Sequence, residues 1–76
     1  MRVGDILVLA GRTRHGKNRV REQGELWIVR SVRPSLLHSA FPAGILVADI
    51  ETLDGKHWRS VKVKDDEDFI IHPSEL

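Results

Sequence analysis

The apolar residues of this chain come in short runs, and that feature restricts its fold more tightly than any other. The longest run is residues 6–10, Ile-Leu-Val-Leu-Ala, set between Gly4-Asp5 and Gly11. So short a run closed by glycine reads as a strand buried on both faces, since an amphipathic helix needs apolar positions three and four apart over a longer stretch. A second run opens at Leu26-Trp27-Ile28-Val29 and reaches Val32, with β-branched and aromatic content that favours a sheet. Arg33-Pro34 ends it, because proline has no N–H for a ladder. Residues 45–53 and 56–64 continue the pattern on either side of Asp54-Gly55. That dipeptide predicts a two-residue hairpin tip in a type I′ turn, which needs positive φ at both central positions. Phe69-Ile70-Ile71 forms a fifth strand after the acidic turn Asp65-Asp66-Glu67-Asp68, and residues 73–76 are expected to close the chain with a 3₁₀ turn.

The 76 residues make one domain, 1–76, with a core small enough to be marginal. Without cysteine there is no disulfide staple and no thiolate metal site. The remaining supports are tight β packing, a homo-oligomer or a bound partner. No apolar run approaches the roughly 18 to 20 residues that cross a bilayer, so no membrane partner is expected. Nor does a charged segment precede a long apolar one, so no signal peptide is expected and the setting is cytoplasmic. The segment 34–44 is unusually apolar for a connection, with Leu36, Leu37, Ala40 and Phe41. With a short turn at 35–39, it is expected to lid the domain's own core or meet a neighbouring subunit or protein partner.

Residues 11–24 read as a long basic loop or splayed hairpin, punctuated by Gly11, Gly16 and Gly24. It carries Arg12, Arg14, Lys17, Arg19 and Arg21, and no acid before Glu22. On extended chain these fall into two phases, and a bend at His15-Gly16 would bring both onto one rim suited to a phosphate backbone. Formal charge points the same way. Residues 1–33 hold eight basic groups against three acids, and residues 34–76 hold four against eight, although the whole chain is only +1. Such a split fits either a polyanion-binding face or two halves that neutralise each other, with the arginines pairing to Glu51 or to the acidic turn.

Gly11 to Asn18 also matches the phosphate-loop pattern G-x-x-x-x-G-K-[ST] except at its last position, where Asn18 lacks the magnesium-binding hydroxyl. That loop should lead into a helix, for which only residues 19–23 remain, and it belongs to a parallel sheet too large for this chain. The match is read as coincidence. Trp27 lies in an apolar strand and is expected in the core. Trp58 shares the phase of Ser60, Lys62 and Lys64, which would make it a stacking platform for a base. A β-bulge near Arg59-Ser60 would instead return it to the core, and the scarcity of large residues favours that bulge or a partly buried Trp58. His15, His38, His57 and His72 have no ligand spacing, and the serines lack a glycine elbow or neighbouring base. No cofactor, metal site or enzymatic activity is expected.

With five short strands, a long first loop and a tight hairpin between strands three and four, the chain resembles an SH3-like barrel. The resemblance implies an all-β, closed five-stranded domain. Gly4-Asp5, the strand at 6–10 and His15-Gly16 also resemble the KOW motif of some ribosomal proteins and transcription elongation factors. Two positions depart from it: Arg19 stands where a later glycine belongs, and Gly11 is one place off. The expected function is a non-catalytic module that binds nucleic acid through Arg12, Arg14, Lys17, Arg19 and Arg21, with Trp58 stacking. A protein-interaction module using residues 36–41 is the alternative.

Overall fold

The computed structural model describes residues 1–35 and 41–74. The chain is all-β with one short helix. Its elements are β1 (Ile6–Gly11), α1 (Arg14–Gln23), β2 (Leu26–Pro34), β3 (Leu46–Thr52), β4 (Trp58–Lys62) and β5 (Phe69–Pro73). All pairings are antiparallel, in the order β4-β3-β2-β1-β5. The first four strands thus meander, and β5 returns to lie against β1.

Alternation along the strands sets the core. Leu7 and Leu9 of β1 point inward with Trp27, Val29, Ala48, Ile50, Val61 and Phe69, while Ile6 and Val8 are only half-buried. The expectation that β1 is covered on both faces therefore holds for one face. Trp27, 1% exposed, is core, and its indole N–H donates to Gly24 O at 3.0 Å.

A β-bulge does occur, but in β2, where the register with β3 shifts between Val29 and Ser31. On its near side β2 pairs with both neighbours, and Val29 N donates to Asp5 O at 2.9 Å. Beyond it β2 pairs with β3 alone, so the sheet bends around the core at that point. Pro34 does not stop β2. Ser35 N donates to Ile45 O at 2.8 Å, so the alternate position, Pro34, faces the side where β1 no longer runs and no donor is needed.

Among the described residues no ladder joins β4 to β5, and the closed barrel expected from the sequence is not sealed by backbone hydrogen bonds. Side chains span the gap instead. The Arg59 guanidinium lies 4.7 Å from the centroid of the Phe69 ring, and Asp66 caps the turn between the two strands, accepting from Lys62 N and Phe69 N.

The hairpin tip differs from the two-residue type I′ turn. Thr52 N pairs with His57 O at 3.0 Å and Gly55 N donates to Thr52 O at 2.9 Å, which makes residues 53–56 a four-residue loop built on a type I turn. Only Gly55, at φ +74°, takes positive φ. The Asp54 carboxylate does the rest, accepting from the Thr52 hydroxyl and Lys56 N. Ser74 N donates to Ile6 O at 2.9 Å and so prolongs the pairing with β1 at the start of the expected 3₁₀ turn; residues 75–76 lie outside the described residues. Residues 36–40 lie outside them too, and with them most of the apolar segment; Phe41 is half-buried.

Candidate functional site

The basic segment is a helix. Thr13 caps it, its hydroxyl oxygen accepting from Gly16 N at 3.0 Å, and Gly24, at φ +100°, ends it. The long loop or splayed hairpin expected from the sequence rests on the polar, basic character of the stretch and on Gly11, Gly16 and Gly24. The glycine at its middle has a packing role instead. Gly16 presses against the turn before β5, where an added Cβ would lie 1.9 Å from Asp68 O. The same turn anchors the approach to α1: Arg12 N donates to Asp68 O at 2.8 Å, and the Thr13 hydroxyl donates to Asp68 Oδ1 at 2.7 Å.

The phosphate-loop likeness has the same origin. A Cβ on Gly11 would lie 2.3 Å from Lys17 N, and that amide is already bonded to Thr13 O at 2.9 Å. A helix does follow β1, contrary to expectation. It starts at Arg14, however, so Gly16 and Lys17 lie inside its first turn, and their amides are already bonded to Thr13. Both glycines serve close packing.

Helical geometry re-sorts the cations. Arg14, Lys17 and Arg21 stand at i, i+3 and i+7, one stripe about 10 Å long, and all three are exposed. Arg12 is exposed just ahead of the cap. Arg19 falls on another side, half-buried, and pairs with Glu22 at 3.2 Å. The ion pairs among the described residues are Arg19–Glu22, Arg30–Glu51, Arg33–Asp49 and Lys62–Glu67. Arg12, Arg14, Lys17 and Arg21 take part in none, so neither Glu51 nor the acidic turn is spent on them. Arg14 also sits at the positive end of the helix dipole with no acid in the first turn, a placement that costs about 0.3 to 1 kcal/mol.

No family model, curated protein or solved structure matches this chain.

Trp58 is 61% exposed, and β4 is regular, so neither the bulge near Arg59-Ser60 nor a partly buried Trp58 is found. It does not join the cations. Arg59, its neighbour, shares the inward phase of Val61 and lies close enough to Arg19 of α1 for their charges to interact. Trp58 points the opposite way, to the outer face of the sheet, across from Glu51. That face is self-neutralising. Arg30 Nε donates to Glu51, and Asp49 accepts from Arg33 Nε at 2.9 Å, Ser31 at 2.5 Å and Ser60 at 2.6 Å. The Arg33 hydrogen bond, above all, holds the Asp49 carboxyl down to about 2. Burial opposes that shift, and the two serine hydroxyls add to it.

Sequence reasoning missed Arg59. Its signal was the strand phase: a cation in step with Val61 on a strand whose other phase is polar points into the core. Among the described residues no three metal-ligating side chains cluster, and no helix is long and apolar enough to cross a membrane.

Proposed function

We propose that this domain is a non-catalytic, cytoplasmic nucleic-acid-binding module that holds the phosphate backbone with the solvent face of α1. The observation that carries the reading is the stripe Arg14, Lys17 and Arg21, with Arg12 at its head, exposed and without acidic partners among the described residues. At about 3.4 Å of axis per phosphate on one strand, the stripe spans about three phosphates. Arg19 and Trp58 drop out of this contact set, the first turned inward and the second on the far face.

A salt titration tests the proposal. Four phosphate contacts give a slope of log affinity against log salt of roughly −3.6 on duplex and −2.8 on single strands. Replacing Arg14 and Lys17 with Ala flattens the duplex slope by about 1.8 and weakens all sequences alike, because phosphate contacts carry no base code. Affinity that ignores these substitutions overturns the reading.

A protein-interaction module then takes over, favoured by a groove of about 430 Å³ lined by Pro42, Ile45, Leu46 and Val63 between Lys62 and Lys64.

A further inference from the structure

Between them α1 and β4 hold three side-chain polar atoms that are shielded from solvent and have no hydrogen-bond partner: Arg19 Nε, Gln23 Oε1 and Arg59 Nε. They are not scattered. Arg19 and Gln23 are four residues apart on one face of α1. Arg59 approaches from β4, its guanidinium laid over Phe69 and near enough to Arg19 for mutual repulsion. Buried polar atoms are almost always paired, so a cluster of orphans drawn from two elements marks either a defect or a site awaiting a ligand.

The electrostatics favour a site. Burial lowers the Arg59 pKa most and Arg19 lowers it further, against the opposing pull of Asp66 and Asp68. Neither aspartate is within ion-pair distance of Arg59, and both are committed to the turn. Asp66 accepts from the backbone N–H groups of Lys62, Asp68 and Phe69, and Asp68 accepts from the Thr13 hydroxyl. Glu22 meets Arg19 through Nη1 and leaves its Nε unpaired. The Nε–H donors of both guanidinium groups are thus left without an acceptor.

We propose that Arg19 and Arg59 form a phosphate-binding site between α1 and β4, distinct from the exposed stripe on the opposite side of the helix. A phosphate group suits the donors better than a carboxylate does, since it offers three or four acceptor oxygens and up to two negative charges to two guanidinium groups. Rotation about the terminal torsions of these long side chains turns each Nε–H toward an oxygen seated between them. Gln23 supplies a third contact, its Oε1 accepting from a protonated phosphate oxygen. Phe69 fixes the orientation of Arg59 by cation–π contact, which reduces the freedom lost on binding. The site stands whether or not the outer stripe binds nucleic acid.

The test uses the whole chain and inorganic phosphate as the probe, against chloride at matched ionic strength. Phosphate should raise the melting temperature of the parent protein and shift the Nε–Hε resonances of Arg19 and Arg59. Arg19→Gln and Arg59→Gln should each weaken phosphate binding about tenfold or more. Arg2→Ala, at an exposed cation that belongs to neither site, should leave it unchanged. Arg19→Gln keeps the proposal testable if Arg59→Gln fails to fold, because Arg19 lies on the helix surface rather than in the sheet. Competition then assigns the source. A 5′-phosphorylated oligonucleotide that displaces phosphate where its unphosphorylated twin does not identifies a nucleic-acid end, and displacement by neither identifies a small phosphorylated molecule. No phosphate-specific shift, or a shift lost in the Arg14/Lys17 variant and kept in Arg19→Gln, overturns the site.

Discussion

Replacing Gly16 with Ala separates a packed helix from an exposed basic loop. In an exposed helix interior the change stabilises by about 1 kcal/mol, because glycine gives up more backbone freedom than alanine. Here the new Cβ would stand 1.9 Å from Asp68 O and 2.9 Å from Asp68 C, both backbone atoms that cannot swing away. Relief to an ordinary contact requires α1 and the turn to part by roughly 1.5 Å. That displacement strains the Arg12 N to Asp68 O bond at 2.8 Å and the Thr13 to Asp68 bond at 2.7 Å, and it loosens Val20 from the core. Overpacking costs about 1 to 3 kcal/mol. Two weakened hydrogen bonds add about 1 to 3 kcal/mol. Less the propensity gain, the net loss is about 1 to 5 kcal/mol, a fall of roughly 4 to 40 °C for a domain of this length. Thermal unfolding followed by circular dichroism measures it directly. A variant as stable as the parent, or more stable, refutes the seating of α1 on residue 68.

Three further outcomes follow from the same geometry. Gly55→Val places a β-branched residue at φ +74° with only an ordinary contact near its Cβ, Glu51 Oε2 at 3.9 Å, so backbone strain dominates and stability should fall by about 1 to 2 kcal/mol; an unchanged melting temperature rejects the turn. Because the folded-state pKa of Asp49 is depressed to about 2 from 3.8, its contribution to stability is present above about pH 4 and is lost as pH falls toward 2. Acid unfolding should show that loss in the parent and lack it in Asp49→Asn. Trp58→Ala, on an exposed side chain of the outer face, should change stability by less than about 1 kcal/mol and leave single-strand affinity intact; a loss of about 1 to 3 kcal/mol in that affinity would place Trp58 in the contact as a stacking residue.

The strands were legible because period-two alternation and turn residues are local signals. Leu7, Leu9, Trp27, Ile50 and Val61 fall inward as their patterns require. What escaped reading was set by neighbours remote in sequence. Helix α1 has a cap at Thr13 and a stop at Gly24, both visible in the chain, but Gly16 between them counts as a breaker until Asp68 is known to press on it. The bulge was assigned to β4 to hide Trp58, on the premise that a small core needs every large side chain. The core is filled instead by Trp27, Phe69 and the aliphatic residues, which leaves β4 regular and Trp58 outside. Two positive φ values were assigned to the hairpin, and only Gly55 takes one, because the Asp54 carboxylate holds the four-residue loop through Thr52 and Lys56.

The charge asymmetry offered two readings, a polyanion face or mutual neutralisation of the halves, and the side-chain geometry divides the arginines between them. Arg30 and Arg33 cross from β2 to Glu51 and Asp49 on β3, so those cations of the first half cancel acids of the second. Arg19 is held within its own helix by Glu22. The cations left over are not spread evenly: Arg14, Lys17 and Arg21 share one exposed face of α1, and Arg12 lies just ahead of its cap, beside Asp65 and Asp66. At about 0.1 M salt a charge acts over about 10 Å, roughly the length of that stripe. A ligand at the solvent face of α1 therefore meets several nearby cations, while Asp49 and Glu51 on the outer face of the sheet are neutralised in place by Arg33 and Arg30. Net charge near zero is thus no argument against polyanion binding, because the field that matters is local and much of the opposing charge is already paired.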